Sequence, residues 1–173
     1  MQGIRVGLGG RMNGSTRFFY TLFLISKSIS AYHLGIENLT SQFLRKINNG
    51  DTSFRIGLIA NQTSCDQTGN RTVDILVNKG LRVICILAPE HGFQGTIPAG
   101  KPVLPTIDYK TAIPIESLYG KGQDDTISGK YANERILKQL DVLFFDLQDC
   151  GMRHFTYIST LLCSMESAAY HNK

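Results

Sequence analysis

The sequence predicts an α/β fold: an open, mostly parallel sheet with helices on both faces. Three observations carry this. Short apolar runs of strand length alternate with segments of helical periodicity. The runs around Gly57 and Cys85 read as continuously apolar rather than alternating, the pattern of parallel strands covered on both faces. The chain has 173 residues, 42% of them hydrophobic and 18% charged, with no Trp and five Pro. That length suits one domain of ordinary size with a real core, and that composition excludes a disordered or collagen-like chain.

The elements follow in order. Arg5, Arg11 and Arg17 precede the apolar run Phe18 to Ile25, and Ser28-Ile29-Ser30-Ala31 follows it. Basic, apolar, small is the order of a secretory signal, and the run is too short to span a bilayer. An unstructured start or a strand is the competing reading of residues 1–33. Periplasmic or secreted and cytoplasmic locations therefore both stay open. Gly7, Gly9, Gly10 and Gly14 make no phosphate loop, because no Gly-Lys-Ser/Thr follows and no clear strand precedes them.

Residues 34–173 form the expected domain. Ile36, Leu39, Phe43, Leu44 and Ile47 recur at helical spacing and predict a helix ending near Gly50. Phe54 to Ala60 predicts a strand, Asn61 to Asn70 a polar loop, Val73 to Val77 a short helix closed by Gly80, and Leu81 to Leu87 a second strand bounded by Pro89. Residues 92–112, rich in Gly and Pro, read as loop or short extended pieces with little apolar content to hold them. Ile113 to Tyr119 reads as a short strand, Gly120 to Gly129 as a flexible polar segment, and Tyr131 to Leu140 as a helix. Asp141 to Leu147 is the clearest strand. Phe155, Ile158, Leu161, Leu162, Met165, Ala168 and Ala169 mark a long amphipathic helix able to cover the sheet.

Charge and cysteine content exclude several classes of function. Eighteen basic residues stand against 14 acidic ones, a net +4 without any basic run, so nucleic acid is not an expected partner. Cys65, Cys85, Cys150 and Cys163 form no C-x-x-C pair, which disfavours a zinc ribbon or a thioredoxin-like motif. Cys85 and Cys163 read as small buried hydrophobes. No metal or cofactor is expected, since the turn after the first strand holds no G-x-G-x-x-G.

In open α/β sheets ligands bind beyond the carboxyl ends of the strands. Three such ends carry polar groups here: Asn61, Gln62 and Thr63; Glu90 and His91; and Asp146, Gln148, Asp149 and Arg153, with His154, Thr156 and Tyr157 at the start of the last helix. Partial burial would suit Glu90 to be a general acid, although a carboxylate there can equally cap a turn or pair with an Arg. His91 is a second acid/base candidate, a metal ligand, or the partner in a local hydrogen bond. Asp146 and Asp149 can bind metal, polarise water or hold Arg153. Two carboxylates flanking a bond is the arrangement of glycoside hydrolysis, and a carboxylate–His–carboxylate set would fit metal-assisted hydrolysis.

Four blocks in order resemble the NamZ-type exo-β-N-acetylmuramidases. They are Gly57-Leu58-Ile59-Ala60-Asn61-Gln62-Thr63 with Gly69 to Leu76; Pro89-Glu90-His91-Gly92-Phe93-Gln94-Gly95 with Ala99-Gly100; Pro114 to Gly120; and Phe145-Asp146-Leu147-Gln148-Asp149-Cys150-Gly151-Met152-Arg153-His154-Phe155-Thr156-Tyr157-Ile158. Together they cover residues 54–171. The resemblance implies a Rossmann-like N-terminal part of a two-part fold, with the active site between the parts. It also implies hydrolysis of terminal non-reducing N-acetylmuramic acid from peptidoglycan fragments. The family's catalytic carboxylate falls on Glu90. Asn61, His91, Asp146, Gln148, Asp149, Arg153 and Tyr157 are the expected substrate-binding residues. Cys65, Cys150 and His154 depart from the family pattern without removing a proposed catalytic group.

Family members are longer, so the C-terminal part is expected to be absent, or a partner if separately encoded. The expected consequence is a chain that folds, is marginally stable, self-associates and is inactive alone. The alternative is a non-enzymatic remnant or a muramyl-sugar-binding module. A nucleotide- or metal-dependent α/β enzyme is the weakest reading.

Overall fold

Backbone pairing in the computed structural model, which describes residues 33–47, 53–119 and 131–173, assembles the apolar runs into a five-stranded sheet. Its strands are β1 (Arg55–Ala60), β2 (Arg82–Ala88), β3 (Thr106–Ile107), β4 (Pro114–Ser117) and β5 (Val142–Asp146), in the spatial order β3-β4-β2-β1-β5. β1 pairs in parallel with β2 and β5, and β2 in parallel with β4; the two-residue β3 runs antiparallel at the edge. The α-helices are α1 (Ser41–Ile47), α2 (Thr72–Asn78), α3 (Glu134–Leu137) and α4 (Tyr157–Tyr170). The signal-like run and the segment from Gly120 to Gly129 lie outside the described residues.

Both sheet faces are covered, which is why the central strands read as unbroken apolar runs. From β1, Ile56, Leu58 and Ala60 pack with Val73 and Leu76 of α2 and with Ile36, Leu39 and Leu44. On the opposite face Ile59, with Cys85 and Leu87 of β2, packs with Ile136 and Leu137 of α3 and with Leu140. A register shift between Ile56 and Gly57 puts Val83 and Ile86 of β2 on one face although they are three residues apart. Gly57 admits the chain after α3: a Cβ there would stand 2.5 Å from Leu140 Cδ1.

The chain steps outward from β1 through β2 to β4, then returns to the far side of β1 for β5. That reversal opens a crevice at the carboxyl ends of β1 and β5, where open α/β sheets place their ligands.

Several elements differ from the sequence expectation. The helix expected over Ile36 to Ile47 is a 3-10 turn, Gly35–Asn38, followed by α1. The break comes at Thr40, whose Oγ1 accepts the Phe43 N–H at 3.1 Å; an N-cap sits inside the periodic pattern. Only Glu134–Leu137 of Tyr131 to Leu140 is α-helical, started by Asn133, whose Oδ1 accepts from Arg135 N. β5 is half-buried at every residue because it is an edge strand. Cys163 is half-buried, not buried.

The long helix α4 is amphipathic in the opposite sense from the one expected. Thr160, Ser164 and Ser167 are its buried residues, while Ile158, Leu162 and Met165, at the same spacing, are 63%, 58% and 60% exposed. The inward face meets polar groups at the sheet edge, so hydroxyls rather than apolar chains pack there.

The loop from Gly92 to Thr111 is better anchored than its composition suggests. Val103 and Asp108 are buried, Phe93 and Ile97 pack against the core, and Asp108 takes hydrogen bonds from Arg71 and Thr111.

Candidate active site at the carboxyl edge of the sheet

The turn leaving β1 and the turn leaving β5 are clasped together. Ser64 Oγ accepts the Asn61 N–H and donates to the Asp146 carbonyl. Thr63 Oγ1 accepts the Gln148 N–H at 3.0 Å, and Gln148 Nε2 donates to the Cys65 carbonyl at 3.0 Å. Gln148 thus holds the two turns with its backbone and its side-chain amide. The Asp146 side chain accepts from Thr72 Oγ1 of α2. Burial pushes the Asp146 carboxyl above the usual range, and the Thr72 bond opposes that rise. Asp146 lines an apolar cavity of about 420 Å³ with Ile36, Leu39, Phe43 and Thr72.

Asn61 is 2% exposed. Its Oδ1 accepts both the Thr63 N–H at 2.8 Å and Thr63 Oγ1 at 2.7 Å, which fixes the orientation of the amide. Its Nδ2 is then left buried with no hydrogen bond of good geometry among the described residues, although the amide lies near enough to the Tyr157 hydroxyl to act on it. Buried donors without partners are rare enough in folded proteins to need an explanation.

Beyond β2 the chain turns through two consecutive left-handed residues, His91 (φ 71°) and Gly92 (φ 78°). Such a conformation is uncommon for a residue with a Cβ. The turn is pinned by His91 itself, whose Nδ1 bonds the Ile97 carbonyl at 2.8 Å while its own carbonyl accepts the Ile97 N–H. A carbonyl only accepts, so Nδ1 carries the proton. The imidazole belongs to its own loop. Glu90, just before it, is half-buried, and its Oε2 accepts from Thr156 Oγ1 at 2.9 Å.

Thr156 is the N-cap of α4, yet its hydroxyl makes no capping bond. One turn on, Thr160 Oγ1 donates to the Thr156 carbonyl and meets the Tyr119 hydroxyl at 2.8 Å. Tyr157 is half-buried beside these groups. Burial raises its hydroxyl above the usual phenol range, the charges of Glu90, Tyr119 and Asp149 add to that rise, and the Asn61 amide acts against it. The phenol is therefore a neutral donor at neutral pH. Asp149 and the exposed Arg153 flank it in an apolar cavity of about 340 Å³, and Asp149 Oδ1 accepts the Gly151 N–H.

The structure thus gathers Asn61, Glu90, Asp149 and Tyr157, with the exposed Arg153 beside Tyr157 and Asp149; it gives His91 a partner in its own turn, Asp146 one on α2, and Gln148 partners in the turn after β1. Neither Asp146 nor Asp149 forms an ion pair with Arg153 among the described residues. Sequence reasoning passes over Tyr119 and Thr160. A signal existed, because hydroxyls at 156, 160 and 164 recur at helical spacing. A carboxylate with one oxygen free of hydrogen bonds among the described residues, a neutral phenol and a buried amide N–H can together move a proton and hold an oxygen-rich substrate.

The sequence profile of the family described as exo-beta-N-acetylmuramidase NamZ, N-terminal, matches residues 56–173. The chain belongs to this family. Peptidoglycan beta-N-acetylmuramidase NamZ of Bacillus subtilis (strain 168) is 37% identical to it over 135 residues, covering 78% of this chain and 30% of that protein. Two crystal structures of DUF1343 family proteins from Bacteroides fragilis NCTC 9343 share the fold. One has a TM-score of 0.59 at 36% identity, covering 76% of this chain and 31% of the other. The second has a TM-score of 0.60 at 28% identity, covering 83% and 33%. The chain spans about a third of the length of the relatives it matches. No helix among the described residues is long and apolar enough to cross a membrane.

Proposed function

We propose that this chain carries the acid/base edge of a glycoside hydrolase that releases terminal non-reducing N-acetylmuramic acid from peptidoglycan fragments. Glu90 is its catalytic carboxylate. The carrying observation is the hydrogen bond from Thr156 to Glu90 Oε2, which leaves Oε1 as the atom that exchanges a proton with the glycosidic oxygen. Asn61, Tyr157, Asp149 and Arg153 contact the sugar. Asp146, Gln148 and His91 serve substrate binding by fixing the turns that carry these groups. Membership in the NamZ family supports the substrate class.

The expected activity of the chain alone is nil, because the cleft requires a C-terminal part to complete it. The test is release of N-acetylmuramic acid from a chromogenic muramide, by this chain alone and by the chain joined to a C-terminal part. Activity in the joined form that disappears with Glu90→Gln supports the assignment. Full activity with Glu90→Gln removes it. The second reading is a muramyl-sugar-binding module without hydrolysis. It predicts sugar binding with no turnover in either form.

A further inference from the structure

The outward face of α4 carries the pattern of a helix seam. Ile158, Leu162, Met165 and Ala169 follow one another at steps of four, three and four residues, and all four are exposed. Those steps are the a/d repeat of a two-stranded coiled coil. The opposite face is already occupied, because Thr160, Ser164 and Ser167 are buried against the sheet edge. The stripe also extends past the helix. Phe155 precedes it, Met152 shares a cavity wall with Ile158, and Tyr131 donates to Glu166 at 2.8 Å on its flank.

The surface is of a size that a second protein can use. Met152, Phe155, Tyr131, Ile158, Leu162 and Met165 are 44–63% exposed. At about 200 Å² for a large side chain they offer roughly 600 Å² per copy, most of the ~800 Å² that each partner brings to a standard interface. Area of that order suits a pairing of micromolar strength.

Charge and side-chain size select the occupant and its direction. Glu166 is the only residue of α4 that carries a charge at neutral pH. A second α4 in parallel register would put both Glu166 carboxylates in one layer and align the two helix dipoles. An antiparallel α4, with Leu162 on a two-fold axis, separates the carboxylates by about 12 Å along the helix, beyond the ~8 Å screening length. It opposes the dipoles. It also brings the exposed Arg153, at the start of one helix, to the C-terminal end of the other, where a cation is favoured. The same axis matches volumes. Ile158 faces the partner's Met165, and the bulky Phe155 faces the partner's Ala169, the smallest residue of the stripe.

We propose that this face is the interface of a two-fold dimer in which α4 packs antiparallel against α4 of a second copy. The contact is isologous, so each copy covers the stripe of the other and assembly closes at two.

The test follows the full chain by sedimentation velocity from about 1 to 200 µM, the range over which a micromolar pair titrates. A monomer–dimer equilibrium is expected. Leu162→Glu, at an exposed position, is expected to weaken it at least about thirtyfold. Ile158→Lys and Met165→Glu are each expected to weaken it about tenfold alone, and to pair with each other more tightly than either does with itself, because one layer then sets Lys against Glu. Direction is read by cross-linking with oxidised glutathione in a Cys150→Ser, Cys163→Ser background. Leu162→Cys is expected to cross-link, and Ala169→Cys is not, because the axis leaves its two copies about 21 Å apart along the helix. The behaviour of the unsubstituted chain decides whether a dimer exists even if a variant fails to fold. A chain that stays monomeric, assembles without limit, pairs regardless of Leu162→Glu or cross-links through Ala169→Cys overturns the proposal. A monomer that covers the stripe only when joined to a C-terminal part also overturns it, and gives the face to that part.

Discussion

Thr156, at the N-cap of α4, gives its hydroxyl to Glu90 Oε2 at 2.9 Å instead of to its own helix. An N-cap threonine ordinarily satisfies one of the helix's free N–H groups, worth about 1 kcal/mol. Here that cap is forgone and a carboxylate in the turn after β2 is held instead.

The bond is measurable without turnover. In a double-mutant cycle of Thr156→Val and Glu90→Ala, unfolding free energies should show a coupling of about 1 kcal/mol, with Thr156→Ser retaining most of it. Additive effects would mean that the two side chains do not interact in solution.

Asp146 gives a pH signature of definite sign. Its carboxyl lies above the usual range in the folded chain because of burial, with Thr72 opposing. The folded state therefore holds the proton to higher pH than the unfolded state, and stability falls as pH rises through the folded value. D146N keeps an acceptor for Thr72 and removes the buried charge. Thermal unfolding of D146N should show a flatter pH profile than wild type through that window and equal or greater stability at neutral pH. A profile unchanged by the substitution would assign the pH dependence to another group.

Gly57→Ala tests the packing behind the site. The added methyl stands 2.5 Å from the fully buried Leu140, which must shift, at a cost of about 1–3 kcal/mol in denaturant unfolding. A loss below about 0.5 kcal/mol would show that the segment after α3 adjusts freely.

The outward face of α4 is expected to drive self-association. Ile158, Leu162 and Met165 form an exposed apolar stripe, with Met152 and Phe155 near its start also exposed. Sedimentation should show concentration-dependent self-association, reduced by Ile158→Lys with Leu162→Glu while the thermal midpoint holds. Association unaffected by the pair would place the sticky surface elsewhere.

The central strands and α2 were legible because their signals are local: apolar runs of strand length, and Gly80 ending the short helix. The edge site was legible in outline, since strand ends in a parallel sheet share one side. What stayed hidden depends on contacts distant in sequence. Periodicity placed the apolar stripe of α4 correctly but could not say which face turns inward; Tyr119, 41 residues before Thr160, decides that. The anchoring of the loop after β2 rests on Asp108 and Arg71, 37 residues apart. The Thr40 cap hid inside a stronger helical rhythm.

The hydroxyl face of α4 has a consequence for how that helix is seated. Apolar surfaces grip without direction, so a helix held by them tolerates small rotations about its axis. α4 is aligned by directed bonds from Thr156 to Glu90 and between Thr160 and Tyr119, one turn apart. Advancing the helix by one residue would turn it by about 100° and break both at once. It has a single azimuth, and the carboxylate at its tip has the same angular tolerance.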